Sequence, residues 1–361
     1  MKKKSLLIYI PSIEDGGVEK FLYIIKNYFI KKKINVIILT ALKCKKKYFD
    51  KKCKIISLRK DNGFIKSRFF TNLIAAFLFF KYCRNKNIVI FSLQSNITAI
   101  ILSLIFNKKI IIRSNTSPDK YIKNFLKKFI FKFFFNLADK IIVNSHEFKK
   151  RFKKIFSITP EEIYNPFVRN IVRKSNFSFF NDKKTLKIIN VGRLTDQKDH
   201  LTLLKAVKKL AKLRKFKLVI IGRGYKEKIL RKYILENKLQ KMVKLIGYKE
   251  DSNSYIKISD VFVLSSAYEG APNVLIESLY LKKYIISSDC PTGPREILNN
   301  GKYGDLFKVG DYNELFKLLK NFNNKSQKIK FKIAKGYKSL TRFDYKNNCE
   351  QYFQIILKYL K

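Results

Sequence analysis

Glu269 and Glu277 are the residues of this chain best placed to do chemistry. They bracket Gly270-Ala271-Pro272-Asn273-Val274-Leu275-Ile276, after the apolar run Val261–Leu264 and the pair Ser265-Ser266. The segment reads as a buried strand, a Gly/Pro loop and the first turns of a helix. A helix start leaves backbone N–H groups free to meet an anion. Two carboxylates at such a mouth could be the acid and base of a glycoside hydrolase. Their spacing argues otherwise. A fully helical stretch would set them about 12 Å apart at ~1.5 Å per residue, beyond the roughly 5–9.5 Å of hydrolytic carboxylate pairs. They fit better as separate contacts along one extended ligand.

A second loop carries cations. The apolar run Lys187–Val191 leads into Gly192-Arg193-Leu194-Thr195-Asp196-Gln197-Lys198-Asp199-His200. Arginine suits a bidentate grip on phosphate, and lysine supplies a point charge. In so basic a chain Lys198 alone could equally be a solvated cation, whereas a Gly-Arg pair directly at a strand end favours Arg193 as a ligand contact. A third loop, Glu14-Asp15-Gly16-Gly17-Val18-Glu19, also precedes a helix. Its glycines would let a phosphate approach the backbone, but a plain βα turn reads equally well. Gly222 and Gly224, in Ile221-Gly222-Arg223-Gly224-Tyr225, read first as turn geometry. No Asp-x-Asp pair occurs to chelate Mg²⁺ or Mn²⁺ against a diphosphate. The two histidines, His146 and His200, lack carboxylate or cysteine neighbours at ligand spacing, so no metal site is expected.

The elements that must position these loops alternate along the whole chain. Strand candidates are Leu6–Ile10, Asn35–Leu39, Lys54–Ser57, Ile88–Ser92, Lys109–Arg113 and Lys140–Asn144, then Lys187–Val191, Lys217–Ile221, Lys244–Ile246, Val261–Leu264 and Tyr284–Ser287. Helical periodicity fills the gaps, as in Val18–Lys31 and Tyr121–Leu137. In the helix expected from Asp199 to Lys215, Leu203, Val207 and Leu210 share one face, with Asp199 as N-cap. Nearly continuous apolar strands separated by helices indicate parallel sheets covered on both faces. The pattern predicts an α/β chain of two doubly wound domains, over residues 1–168 and 183–335, with C-terminal helices over 336–361 packing back toward the first.

The chain has 361 residues and a formal net charge of +51, from 78 Lys+Arg against 27 Asp+Glu. Abundant Lys, Ile, Asn and Phe fit drift toward A/T-rich codons, and the charge also suits an anionic lipid or polyanionic substrate. Nucleic acid is not expected as a partner. The basic residues are spread along the chain, and neither zinc-finger spacing nor an RNP-like signature occurs. The five cysteines, Cys44, Cys53, Cys83, Cys290 and Cys349, are odd in number and form no Cys-x-x-Cys, which suggests reduced thiols in a cytoplasmic protein. Lys2–Ile10 mimics a signal peptide, but Pro11, Glu14 and Asp15 interrupt it, and a first strand fits better. The apolar stretches fall short of the ~20 residues of a spanning helix. One segment stands apart. In Asp119–Asp139, Lys120, Lys123, Lys127, Lys128 and Lys132 share a face, and Phe125, Phe129 and Phe133 supply much of the rest. This is the pattern of a helix lying in a membrane surface, or of a core helix with a lysine-lined exterior. The Phe-rich run Phe64–Phe80 is equally ambiguous.

Together these motifs resemble the retaining nucleotide-sugar glycosyltransferases of family 4, the group 1 transferases. Asn190-Val191-Gly192-Arg193-Leu194 with Gln197-Lys198-Asp199 is similar to that family's Val-Gly-Arg…Lys signature. Glu269 to Glu277 is similar to its Glu-x7-Glu signature, and Gly16-Gly17-Val18-Glu19 to its N-domain loop. The resemblance implies a GT-B fold, with two Rossmann-like domains whose sheets face a central cleft, an N-terminal acceptor domain and a C-terminal donor domain. It implies that Arg193 and Lys198 bind the donor diphosphate and stabilise the leaving group, that Glu277 holds the ribose, and that Glu269 contacts the donor sugar. The backbone at Asn273, Val274, Leu275, Gly16 and Gly17 would meet the donor phosphates. Where many members carry a histidine this chain has Arg113-Ser114-Asn115, which suggests that Arg113 faces phosphate or acceptor. Asp289–Leu298 resembles the branch that transfers N-acetylgalactosamine and related hexoses in bacterial surface-glycan assembly. The expected enzyme is a metal-independent hexosyltransferase without a cofactor. It would use a UDP-sugar and an anionic lipid-linked acceptor, at the inner face of the cytoplasmic membrane through its basic helices. The rival readings are another GT-B sugar-nucleotide enzyme and a basic membrane- or nucleic-acid-binding scaffold.

Overall fold

The computed structural model describes residues 4–13, 16–41, 53–58, 68–115, 125–173, 175–182 and 184–361. Cys44, Glu14, Asp15, Lys120 and Lys123 lie outside these residues. The chain divides into two compact units. One comprises Met1–Val168 with Asp344–Lys361, the other Arg169–Phe343. Residues 169–182 and 336–343 thus belong to the second unit.

The first unit alternates β1 (Ser5–Tyr9), α1 (Gly17–Lys31), β2 (Val36–Leu39), β3 (Lys54–Ile56), α2 (Arg68–Cys83), β4 (Ile88–Ser92), α3 (Asn96–Ile105), β5 (Lys109–Arg113), α4 (Phe125–Asn136), β6 (Lys140–Val143), α5 (His146–Phe156) and β7 (Glu161–Glu162). Its sheet runs β3-β2-β1-β4-β5-β6-β7, with every pairing parallel. The two-residue period of the strands sorts their side chains. Leu7, Tyr9, Ile37, Leu39, Ile90 and Ile112 pack with residues of α2, α3, α4 and α5. Leu6, Ile8, Ile38, Val89, Phe91 and Ile111 pack with residues of α1 and of the C-terminal helix, Tyr345–Leu360.

The second unit repeats the plan. Its elements are β8 (Leu186–Val191), α6 (His200–Leu210), β9 (Phe216–Ile221), α7 (Glu227–Glu236), β10 (Val243–Leu245), α8 (Ser252–Ile258), β11 (Val261–Leu264), α9 (Asn273–Tyr280), β12 (Tyr284–Ser288), α10 (Pro294–Ile297), β13 (Asp305–Phe307), α11 (Tyr312–Asn321) and α12 (Gln327–Lys338). Its all-parallel sheet is ordered β10-β9-β8-β11-β12-β13. Strand order reverses between β8 and β11, and ligands of such sheets bind outside the strand ends at that reversal. The two loops singled out from the sequence leave the carboxyl ends of these two strands. Asn190 Nδ2 donates to Val263 O at 2.8 Å and fixes the strands at that point.

The helix Tyr345–Leu360, now α13, completes the first unit. Its Tyr352 ring lies 5.0 Å from that of Phe21 on α1 and 6.1 Å from that of Phe91 on β4. The buried Tyr352 hydroxyl accepts from Arg113 Nε at 3.0 Å. Truncating this ring would open a cavity and strip a buried guanidinium of an acceptor. Tyr352→Ala is therefore expected to lower stability by about 3–5 kcal/mol, read from urea unfolding of the first unit. A loss below about 1 kcal/mol, typical of surface changes, would contradict this packing.

Candidate functional site

The loop after β8 is built around one lysine. Asp196–Lys198 forms a single 3-10 turn. Asp199 then adopts φ 40° and caps α6, accepting from Thr202 N at 3.3 Å and Thr202 Oγ1 at 2.6 Å. The reversal carries the Lys198 side chain back across the strand end. A Cβ at Gly192 would lie 3.2–3.3 Å from the aliphatic carbons of Lys198. Glycine at 192 thus leaves the stem its full room, and any side chain there would push the lysine aside by a few tenths of an ångström. Arg193 is exposed on the same loop. The β9–α7 loop supports this backbone, with Leu194 N donating to Arg223 O at 2.9 Å.

Lys198 Nζ meets Glu269 Oε1 at 2.5 Å, with side-chain exposures of 14% and 7%. Ser266 Oγ donates to the same carboxylate oxygen at 2.6 Å. In so dry a setting the pair resists separation, because removing one partner strands the other charge away from water. Hydrogen bonds to backbone carbonyls tie the two loops together around it. Ala267 N donates to Gln197 O at 2.8 Å, Gln197 Nε2 to Tyr268 O at 3.1 Å, and Ser265 Oγ to Lys198 O at 3.0 Å. From the β12–α10 loop, Thr292 Oγ1 donates to Glu269 O at 2.6 Å. Gly293 sits at φ 86°, where a Cβ would come within 2.1 Å of Gly270 O, so only glycine lets these two loops meet. Ser266 and Thr292 were not foreseen from sequence. The Ser265-Ser266 pair at an apolar strand end was the available signal.

Glu269 lies in the loop and Glu277 within α9, so the two carboxylates are not on one continuous helix. Glu277 is buried. Asn273, Val274 and Leu275 form the first turn of α9, which has no side-chain cap and no acidic residue there. Its dipole therefore presents partial positive charge at the loop. Lys198 and Glu269 are brought into direct contact, and Arg193 shares their loop system.

In the first unit, Gly16 caps α1 in extended conformation and Gly17 is its first residue, again without a side-chain cap. The suggestion that Arg113 faces phosphate or acceptor is corrected. Arg113 is 2% exposed. Its guanidinium stacks 3.9 Å from the centre of the Phe21 ring and donates to Tyr352 and to Asn165 Oδ1. The cation is thus spent on tying α1, β5 and α13 together.

His200, the first residue of α6, is buried, and neither ring nitrogen finds a hydrogen-bond partner. Burial, helped by the nearby Lys198 charge, lowers its pKa to about 3. Burial and then the Glu269 charge push the Cys290 thiol up to about 12, so it stays protonated at neutral pH. His146 is exposed and lies 3.0 Å from Glu162. Among the described residues, no group of three or more His, Cys, Asp or Glu is arranged to hold a metal ion.

Comparison with known proteins covers both units. Residues 172–338 match the family model for glycosyl transferases group 1, and residues 15–166 that for glycosyltransferase family 4. The uncharacterized glycosyltransferase MJ1059 of Methanocaldococcus jannaschii is 35% identical over 59% of this chain, which spans 60% of that relative. The N-acetylgalactosamine-N,N'-diacetylbacillosaminyl-diphospho-undecaprenol 4-alpha-N-acetylgalactosaminyltransferase of Campylobacter jejuni is 29% identical over 93% of both chains. The crystal structure of Anabaena Alr3699/HepE, in complex with UDP and glucose, superposes with a TM-score of 0.81 over 98% of this chain and 100% of that one, at 16% identity.

His200 makes the second unit sensitive to acid. An unfolded histidine takes up its proton near pH 6.5, well before the buried one does. The unfolded chain then holds more protons, so stability is complete above about pH 6.5 and falls as pH drops toward 3. His200→Leu should abolish this part, sparing about 2 kcal/mol of the loss between pH 7.5 and pH 5. Urea titrations at both pH values check it, and parallel losses in the two proteins would refute it.

Proposed function

The chain belongs to the group 1 glycosyl transferases, with the two parallel-sheet units of the GT-B fold, and on that basis we propose that it moves a hexose or N-acetylhexosamine from a UDP-sugar to a lipid-linked glycan. An N-acetylgalactosamine-like sugar is the favoured cargo. The work would be done at the inner face of the cytoplasmic membrane, during bacterial surface-glycan assembly. The relative acting on a diphospho-undecaprenol acceptor supports the acceptor class, and the neighbour that holds UDP supports the donor class. No helix among the described residues is long and apolar enough to cross a membrane; contact with the bilayer would be peripheral.

The observation that carries the reading is the partly buried Lys198–Glu269 pair, with Arg193 exposed on the same loop as Lys198, at the strand-order reversal. An arriving diphosphate draws Lys198 away from Glu269. Arg193 grips the phosphates with its planar fork, and the uncapped start of α9 adds its N–H groups. Glu269, released from its cation, accepts hydrogen bonds from the sugar hydroxyls. Glu277 accepts from the ribose. Breaking the bond between the sugar's anomeric carbon and the phosphate oxygen leaves negative charge on UDP, and the preorganised cations stabilise it. The acceptor hydroxyl attacks from the face the diphosphate is leaving and gives its proton to a phosphate oxygen, so configuration is retained. The mechanism asks for no covalent nucleophile and no metal ion.

UDP release from a panel of UDP-sugars, with and without polyprenyl-diphosphate-linked acceptors, tests the reading. Arg193→Ala should lower kcat about 10²–10³-fold, the usual effect of losing one donor to developing charge. Glu277→Gln should mainly raise KM for the donor. Failure of every UDP-sugar to turn over, or native kinetics in both variants, would sink the assignment.

A further inference from the structure

Three neighbouring helices of the first unit turn apolar side chains toward solvent. On α2, Phe69, Leu73 and Phe77 recur at every fourth position, and all three are exposed. On α4, Leu126, Phe129, Ile130 and Phe133 form a stripe at i, i+3, i+4 and i+7. Phe129 is 62% exposed and Phe133 55%. The helix α3 packs between them and exposes Leu104 and Ile105. The core beneath is already filled by the opposite sides of these helices, through Leu78, Phe79, Ile100 and Phe135. At about 15–24 Å of helix length and ~8–10 Å between axes, the face is as large as the biggest apolar patches of monomeric proteins, which usually mark an interaction site.

Charge identifies the occupant. None of the three helices carries an aspartate or glutamate. Lys127 and Lys132 of α4 stand exposed among its phenylalanines. At the end of α2, Lys81 lies over the Tyr82 ring and Arg84 over the Phe80 ring, so the cations rise from the edge of the apolar surface. Phenylalanine flanked by lysine is the chemistry of a helix lying in a lipid headgroup layer, with rings among the acyl chains and ammonium groups at phosphate level. A second copy of the chain would set like charges against each other.

We propose that the outward side of α2, α3 and α4 seats this unit on an anionic bilayer. This narrows the peripheral membrane contact of the proposed function to one face and rests on that contact, though not on the transfer chemistry. It resolves the ambiguity of the lysine-rich helix, whose Phe129 and Phe133 point outward instead of into the core.

The chain contains no tryptophan, so Phe133→Trp installs a single reporter in the face. Phe331→Trp, on the exposed side of α12 in the second unit, is the control. With phosphatidylglycerol vesicles the indole fluorescence of the Phe133→Trp variant should shift to the blue and be quenched by brominated acyl chains, while the control stays unquenched. Replacing Phe77, Phe129 and Phe133 by serine should weaken vesicle partitioning on the order of tenfold per ring, with donor turnover in detergent unchanged. Vesicle flotation without quenching at position 133 would overturn the face and leave peripheral contact standing. No flotation at all would overturn both, and turnover in detergent would still report separately on catalysis. A blue shift that grows with protein concentration in the absence of lipid would overturn the bilayer reading and assign the face to self-association.

Discussion

The second unit's candidate site is organised around one partly buried ion pair. Lys198 and Glu269 come from loops 71 positions apart in sequence, and neither could sit in so dry a place alone. Their contact is the reason the two loops must meet. Gly192 clears space for the lysine stem, Asp199 turns the chain behind it, and Ser266 and Thr292 hold the glutamate from two sides. A charge pair of this kind is a stored interaction. It keeps a cation and a carboxylate preorganised, and an anion of suitable shape can divide them.

The parallel sheets explain why these loops are neighbours. Strands that all run one way deliver all their following loops to one edge, and the reversal between β8 and β11 leaves a gap there. The first unit repeats the scaffold, yet the cation at the end of its β5 is used differently. Arg113 is stacked on Phe21 and bonded to Tyr352, making it a rivet for the C-terminal helix.

Much of this was legible in the sequence because strands such as Ile88–Ser92 and Val261–Leu264 are continuous apolar runs, buried on both faces and bounded by turn residues. β7, only Glu161–Glu162, and β13, Asp305–Phe307, carry too few apolar residues to announce themselves. The cations of the β8–α6 loop were visible from their place at a strand end. That Lys198 is held by Glu269 was not, because the contact depends on a backward turn at Asp199. Arg113 misled because its partner Tyr352 is 239 positions away, and a linear reading sees the charge without its burial. The lysines and phenylalanines of α4 share helical spacing, so periodicity alone could not say which set faces the sheet.

In the proposed function, Lys198 stays paired with Glu269 until a diphosphate takes it. Calorimetric titration of UDP into native protein and into Glu269→Gln tests this most directly. Releasing the lysine and removing a carboxylate near the phosphates should make UDP bind more tightly to the variant, even as sugar transfer falls. Equal or weaker UDP binding by Glu269→Gln would refute this exchange of partners.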